Sequence, residues 1–159
     1  MTLYEASVAV HVGAAVLGFG PTFAYPVIQL AAERRDPAAL PFAIGAILRI
    51  SRLLAVPMAV VVGLTGAYQA ADGPWSLRDA WLWIGVALYV AVFMLAVFYL
   101  VPALRRAQAE AERIVAAAPA GERPRLSAEY LRITRGLKLV GGAVGTSVLA
   151  IVALMEIKP

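Results

Sequence analysis

Polar residues interrupt this chain in three places, and the long runs between them are apolar. Four apolar stretches result: Ala6 to Ala32, Leu53 to Ala71, Ala80 to Val101 and Leu137 to Ile157. Each is long enough as a helix to cross a bilayer, which takes roughly 20 residues. With their polar flanks they predict helices over about 4–33, 39–71, 77–118 and 126–157. Glu33, Arg34, Arg35, Asp36 and Pro37 read as a short polar turn after the first helix, and Asp72, Gly73 and Pro74 close the second. The second helix starts near Ala39 or Pro41, ahead of its membrane part. Ala107 to Ala118, rich in Ala, Glu and Arg, extends the third helix as a polar piece standing in water. Ser127 suits the N-cap of the fourth, with Glu129 in its first turn. The expected fold is an all-α integral membrane protein: one domain, a four-transmembrane-helix bundle, with a cytoplasmic helical hairpin between helices three and four.

Within the first stretch the polar positions are not scattered. Tyr4, Ser7, His11, Gly18, Thr22, Tyr25 and Gln29 recur at spacings of three, four and seven, which gathers them on one stripe of a helix. Val8, Val12, Val16, Phe19, Phe23 and Val27 occupy the other side. Such a helix turns its thin polar seam into the bundle. Gly20-Pro21 predicts a bend, read either as a packing kink or as a widened turn with freed carbonyls. In the fourth stretch Gly141 and Gly145 are spaced for close helix approach. Trp75, Trp81 and Trp83 at the start of the third mark an interfacial aromatic belt, with Pro102, Arg105 and Arg106 at the far boundary.

Composition sharpens this picture. The 159 residues are 62% hydrophobic and 15% charged, where soluble domains run near half and a quarter. There are no cysteines, which excludes disulfides, thiolate metal sites and cysteine nucleophiles. The N-terminus lacks a basic region, so the first stretch reads as a retained helix rather than a signal peptide. The net charge of +4 reports topology rather than nucleic acid. Of the 14 basic residues, 12 flank the first and third turns and only Arg78 and Lys158 fall on the other side. Basic flanks stay in the cytoplasm, so both termini are expected outside, in a cytoplasmic (inner) membrane. Arg105, Arg106, Arg135 and Lys138 lie nearest the bilayer and are expected to meet anionic lipid. Glu5, Asp72, Asp79 and Glu156 fall on the outer side, as solvated helix ends or as an acidic rim that draws cations.

Few residues can carry chemistry. No H-E-x-x-H motif or phosphate-binding glycine loop is present, and no third group completes a triad with Ser7 and His11. Hydrolytic catalysis is therefore not expected. His11 is the sharpest candidate, because ionisable groups inside a membrane are costly and tend to serve function. Three readings stand: a packed neutral imidazole bonded to Ser7, a carbonyl or a tyrosine; a cofactor ligand, with Ser7 and Tyr25 on the same seam; or a proton carrier. Haem b needs an imidazole and an apolar slot, with Met58, Met94 and Met155 as candidate second ligands. A bis-histidine haem would need two copies of the chain, and copper lacks a methionine cluster. The first function expected is a non-catalytic accessory or transport-associated subunit, with Gly- and Ala-rich helices suited to a homo-oligomer or membrane partner. The alternative is a haem- or copper-binding membrane protein using His11.

Several stretches also carry a resemblance. They are the histidine a few residues into the first helix with its later Gly-Pro, Leu53-Leu54-Ala55-Val56-Pro57 followed by Gly63-Leu64-Thr65-Gly66, Ala80-Trp81-Leu82, Leu100-Val101-Pro102 before Arg105-Arg106, and the ending Met155-Glu156-Ile157-Lys158-Pro159. Across nearly its whole length the chain resembles a bacterial family of predicted integral membrane proteins, the domain of unknown function 2269. That family is distantly similar to copper-resistance D and HemJ-type protoporphyrinogen oxidase membrane proteins, where a first-helix histidine is linked to haem. His11 is the residue here that matches that feature. The second and third helices hold no histidine.

Overall fold

A computed structural model describes residues 2–73, 76 and 78–157. Among them, four helices are long and apolar enough to cross a membrane: α1 (Leu3–Arg35), α2 (Pro37–Asp72), α3 (Ala80–Ala117) and α4 (Ala128–Ile157). No strand occurs among the described residues, and the fold is the all-α, four-span membrane bundle. The sequence readings that involve Pro74, Trp75, Lys158 and Pro159 lie outside the described residues.

Local chemistry starts three of the four helices. Thr2 Oγ1 accepts the Glu5 N–H at 3.2 Å while the Glu5 carboxylate accepts the Thr2 N–H at 2.8 Å. This reciprocal capping satisfies two donors that a helix N-terminus leaves open. Ser127 Oγ accepts the Tyr130 N–H at 3.0 Å and caps α4. The turn before it passes through Gly121, whose φ of +82° suits a residue without Cβ. Arg123 reaches from that turn to the Arg34 carbonyl at 2.6 Å, placing a cation at the C-terminal end of α1. That end is not the polar turn expected from Glu33 onward. The helix runs through Arg35, Asp36 caps the next turn through the Ala38 N–H at 3.1 Å, and Pro37–Ala39 form a 3₁₀ start to α2.

The helices are longer than a bilayer is thick. At 36 and 38 residues, α2 and α3 reach about 55 Å, against a hydrocarbon core of about 30 Å. The excess is put to use at the arginine-rich end. There Leu40, Ile44 and Ile47 of α2 bury themselves against Leu104, Ala107, Ala111 and Ile114 of α3 and against Tyr130 and Leu137 of α4, with Leu40, Ala107, Ala111 and Tyr130 wholly enclosed. Ala107 to Ala118 is thus corrected from a polar extension in water to an amphipathic wall of the core. It is wet on one side and packed on the other, because Ala107, Ala111 and Ile114 recur at helical spacing.

Toward the other end the bundle resolves into two helix pairs, α1 beside α2 and α3 beside α4, which touch each other less. Gly18 makes the α1–α2 approach close: a Cβ there would come within 2.8 Å of Met58 Cβ. Between the pairs, the Tyr89 hydroxyl donates to the Ala59 carbonyl at 2.8 Å. Trp83 faces outward as a belt residue should, but Trp81 is turned inward and buried, so the belt is narrower than the sequence suggests. Gly141 and Gly142 meet no neighbour at all, and Gly145 meets only Phe23, at 3.6 Å. Within this chain these three glycines of α4 face a gap, whereas Gly136, nearer the arginine-rich end, stands close against the Tyr99 ring of α3.

If Gly18 sets the α1–α2 distance, Gly18→Leu should lower stability by about 1–3 kcal/mol, the usual range for overpacking. Gly13→Leu, where a Cβ meets nothing, should be nearly neutral. Thermal unfolding in mild detergent checks this, and equal effects at the two positions would contradict the contact.

Candidate functional site

The polar seam of α1 faces α2, and its partners are now assignable. His11 Nδ1 lies 2.9 Å from Thr65 Oγ1. Thr65 has one hydroxyl hydrogen, which goes to the Val61 carbonyl at 2.7 Å. With that hydrogen on the carbonyl, Nδ1 donates to Thr65 and Nε2 keeps its lone pair; with the hydrogen turned to the ring, the roles of the two nitrogens reverse. Gly66 stands against the ring face: a Cβ there would sit 3.2 Å from Cε1. Ser7 is not the partner of His11. Its hydroxyl turns back to the Tyr4 carbonyl at 2.7 Å, while its own carbonyl accepts Gln69 Nε2 at 3.1 Å. Tyr25 lies farther along the seam, with its Oη 3.3 Å from Ser51 Oγ. His11, Ser7 and Tyr25 therefore share a helix face but not one site.

A second feature was not expected. Three of the four helices leave α-helical geometry near mid-length. In α1, Gly20–Ala24 tightens into a 3₁₀ turn, not the widened turn that was one reading of Gly20-Pro21, and the Thr22 hydroxyl caps the Phe19 carbonyl at 2.6 Å. The widened turns are in α2 and α3, where Ser51–Ala55 and Ala96–Leu100 are π-helical. The Val56 N–H reaches back to the Ser51 carbonyl, and the Val101 N–H to the Ala96 carbonyl. Each irregular segment is followed two residues later by a proline: Pro26, Pro57 and Pro102. Proline offers no N–H and its ring presses on the carbonyl four residues before it. A wider turn just ahead moves that carbonyl aside, and such π-bulges frequently mark functional sites.

All three irregular segments line one cleft, closed on its fourth side by Gly141, Gly142 and Gly145 of α4. Its volume is about 390 Å³, within the range of small-molecule sites, about 300–1,000 Å³. Tyr89 and Val148 mark one end and Gln29 and Lys138 the other. Phe23 and Leu149 on its rim are 48% and 59% exposed, so the cleft opens sideways, where lipid would lie. His11 is not among its lining residues.

At the Lys138 end three side chains from two helices, α1 and α4, meet on one carboxylate. Glu33 Oε1 accepts Gln29 Nε2 at 2.8 Å and the Tyr130 hydroxyl at 3.2 Å, and Oε2 takes Lys138 Nζ at 2.9 Å. The Glu33 side chain is 8% exposed and that of Lys138 44%. Sequence reasoning placed Glu33 in a solvated turn. Its signal was the i, i+4 spacing from Gln29, the last residue of the seam. Of the four basic residues assigned to lipid, Lys138 is thus also an internal partner, while Arg105, Arg106 and Arg135 are exposed. No cluster of three or more metal-ligating His, Cys, Asp or Glu side chains occurs among the described residues.

Four apolar spans, a basic end and a lateral cleft define an integral membrane bundle. A family model described as a predicted integral membrane protein (DUF2269) matches residues 6–159. The chain belongs to that family. No curated protein and no solved structure matches it.

Glu33→Ala would leave two buried donors, on Gln29 and Tyr130, without their acceptor, which typically costs about 1–3 kcal/mol per system. Glu33→Gln keeps an acceptor oxygen and should cost clearly less. Unfolding titrations of both, beside the exposed Glu122→Ala, measure this. A Glu33→Ala variant as stable as Glu122→Ala would remove the carboxylate from its central place.

Proposed function

We propose that this protein is a non-catalytic accessory subunit of the cytoplasmic membrane that binds a lipid-soluble small molecule between its helices. The observation that carries this reading is the coincidence of three proline-linked helix irregularities and a glycine face around one cleft. Random kinks have no reason to meet on one cavity. The twelve basic residues on one side support an orientation with that end in the cytoplasm and both termini outside. Gly and Ala on the lipid-facing sides leave room for a second copy or another membrane subunit.

Native mass spectrometry from mild detergent tests the binding reading. The wild type should carry a discrete co-purified adduct, one per chain, and Gly141→Leu should lack it. Gly141 has open space where a side chain would go, so leucine fills the cleft without displacing the fold. Indistinguishable adduct patterns in the two proteins would defeat the proposal.

One observation favours a second reading, haem b ligation at His11. The tautomer that donates from Nδ1 to Thr65 leaves Nε2 with the lone pair, which is the atom an iron would need. The chain supplies one histidine, so it would offer one axial ligand, or two across a pair of copies. Protein purified from cells fed a haem precursor should then show a Soret band that His11→Ala abolishes. A colourless wild type, unchanged by added haem, would dismiss this second reading and leave the cleft untouched.

A further inference from the structure

The two ends of the cleft differ chemically, and the difference specifies what it would hold. Along most of its length the lining is hydrocarbon: Phe19, Phe93, Leu149 and the widened turns of α2 and α3. The Thr22 and Ser51 hydroxyls give their hydrogens to the Phe19 and Ile47 carbonyls, so apart from Tyr25 and Thr146 the walls give a polar group little to bind, and the occupant's body must be mostly apolar. At the Tyr89 end the Tyr89 hydroxyl hydrogen is taken by the Ala59 carbonyl, and no charged side chain lines the cleft there. The Lys138 end is open. The ammonium carries three hydrogens, and its one bond is to Glu33 Oε2 at 2.9 Å. Two remain for an acceptor at the cleft mouth.

The charges around that mouth decide the sign of the head group. Arg52 and Arg105 directly follow the lining residues Ser51 and Leu104, and Arg135 lies one turn before Lys138. All three are exposed. Glu33 neutralises one cation, and the exposed Arg52, Arg105 and Arg135 on neighbouring turns leave this end of the bundle with an excess of positive charge, which concentrates anions. The volume of about 390 Å³ is that of a site for one drug-sized body. The lateral opening past Phe23 and Leu149 gives such a molecule a path from the bilayer.

We propose that the cleft binds a single-chain amphiphile with an anionic head, the head at Lys138 and the chain lying along the glycine face of α4 between the widened turns. This rests on the reading of the cleft as a ligand site and adds the ligand's class. Carboxylate and phosphate heads share the required chemistry.

The test uses the full chain in zwitterionic nanodiscs and four probes: oleate, lysophosphatidate, oleyl alcohol and a long-chain quinone. Binding is read by native mass spectrometry and by shift in melting temperature. Oleate or lysophosphatidate should bind one per chain, and the stronger of the two identifies the head group. Lys138→Gln should weaken that probe about tenfold, as loss of one charge-assisted hydrogen bond implies. It should leave oleyl alcohol unchanged. Gly142→Leu, again into open space, should remove all chain binding while the protein keeps its melting temperature. Lys138 also holds Glu33, so Lys138→Arg serves as control: it keeps the charge and should keep the anion. If oleyl alcohol or the quinone binds as tightly as the anions, and Gly142→Leu blocks it, the anionic head is wrong but the cleft is still a ligand site. If Gly142→Leu leaves oleate binding intact, the anion sits on the outer surface, and both readings fail.

Discussion

The structure depends on a mismatch of length: helices of about 45–57 Å must share a bilayer of about 30 Å. Each helix therefore passes through two solvents, and the two reward different packing. In water, burying apolar surface is favourable at about 25 cal/mol per Å². In lipid that drive vanishes, and packing rests on van der Waals fit and hydrogen bonds. The molecule follows this division. Its most enclosed residues, Leu40, Ala107, Ala111 and Tyr130, gather at the arginine-rich end, where water can provide the drive. The half with fewer charges is held by close approach at Gly18, by the His11–Thr65 and Ser7–Gln69 bonds, and by the Tyr89 hydroxyl.

The same division explains how a cleft is tolerated. In a soluble core a void forfeits contacts and destabilises the fold in proportion to its size. A lateral cleft in a membrane is bathed by hydrocarbon, so its walls keep their dispersion partners. Proline is tolerated in membrane helices when the freed backbone groups find substitutes. One is visible here: the Thr22 carbonyl, which Pro26 cannot reach with a donor, accepts the Tyr25 N–H instead. The Thr22 and Ser51 hydroxyls in turn give their hydrogens to the Phe19 and Ile47 carbonyls, at 2.6 and 2.8 Å. Both hydroxyls belong to residues that line the cleft. These bonds satisfy two of the hydroxyls in the cleft wall.

Much of this was legible in the residues. The four spans, the inward seam of α1 and the Ser127 cap follow from period, length and capping chemistry, which act over a few residues. What was missed involves competition between distant segments. The polar look of Ala107 to Ala118 hid an alanine stripe, because alanine reads as neutral until a partner such as Ile44 covers it. Glu33 stood among arginines and resembled a solvated turn until Tyr130 and Lys138, about a hundred positions away, converged on it. Pro57 and Pro102 were noted as family-like and boundary residues. That each follows a five-residue segment by the same interval as Pro26 became meaningful only when those segments faced one another. Whether His11, Ser7 and Tyr25 act together was open in the sequence. Their different partners, Thr65, Tyr4 and Ser51, follow from χ angles and neighbours that spacing does not encode.

Glu33 joins the two regimes. Through Tyr130 it is bonded to the most enclosed side chain of the water-side core, and through Lys138 to the mouth of the cleft. Gln29, next to both, is itself 6% exposed and lines the cleft. A carboxylate this enclosed must keep its donors, since an uncompensated buried charge is far costlier than a surface one. Lys138 therefore cannot swing fully toward an anion in the cleft without Glu33 finding another partner. An occupant of the proposed kind would have to share the ammonium rather than capture it. The mouth of the cleft and the enclosed core at the arginine-rich end are in this way joined through three hydrogen bonds on a single side chain.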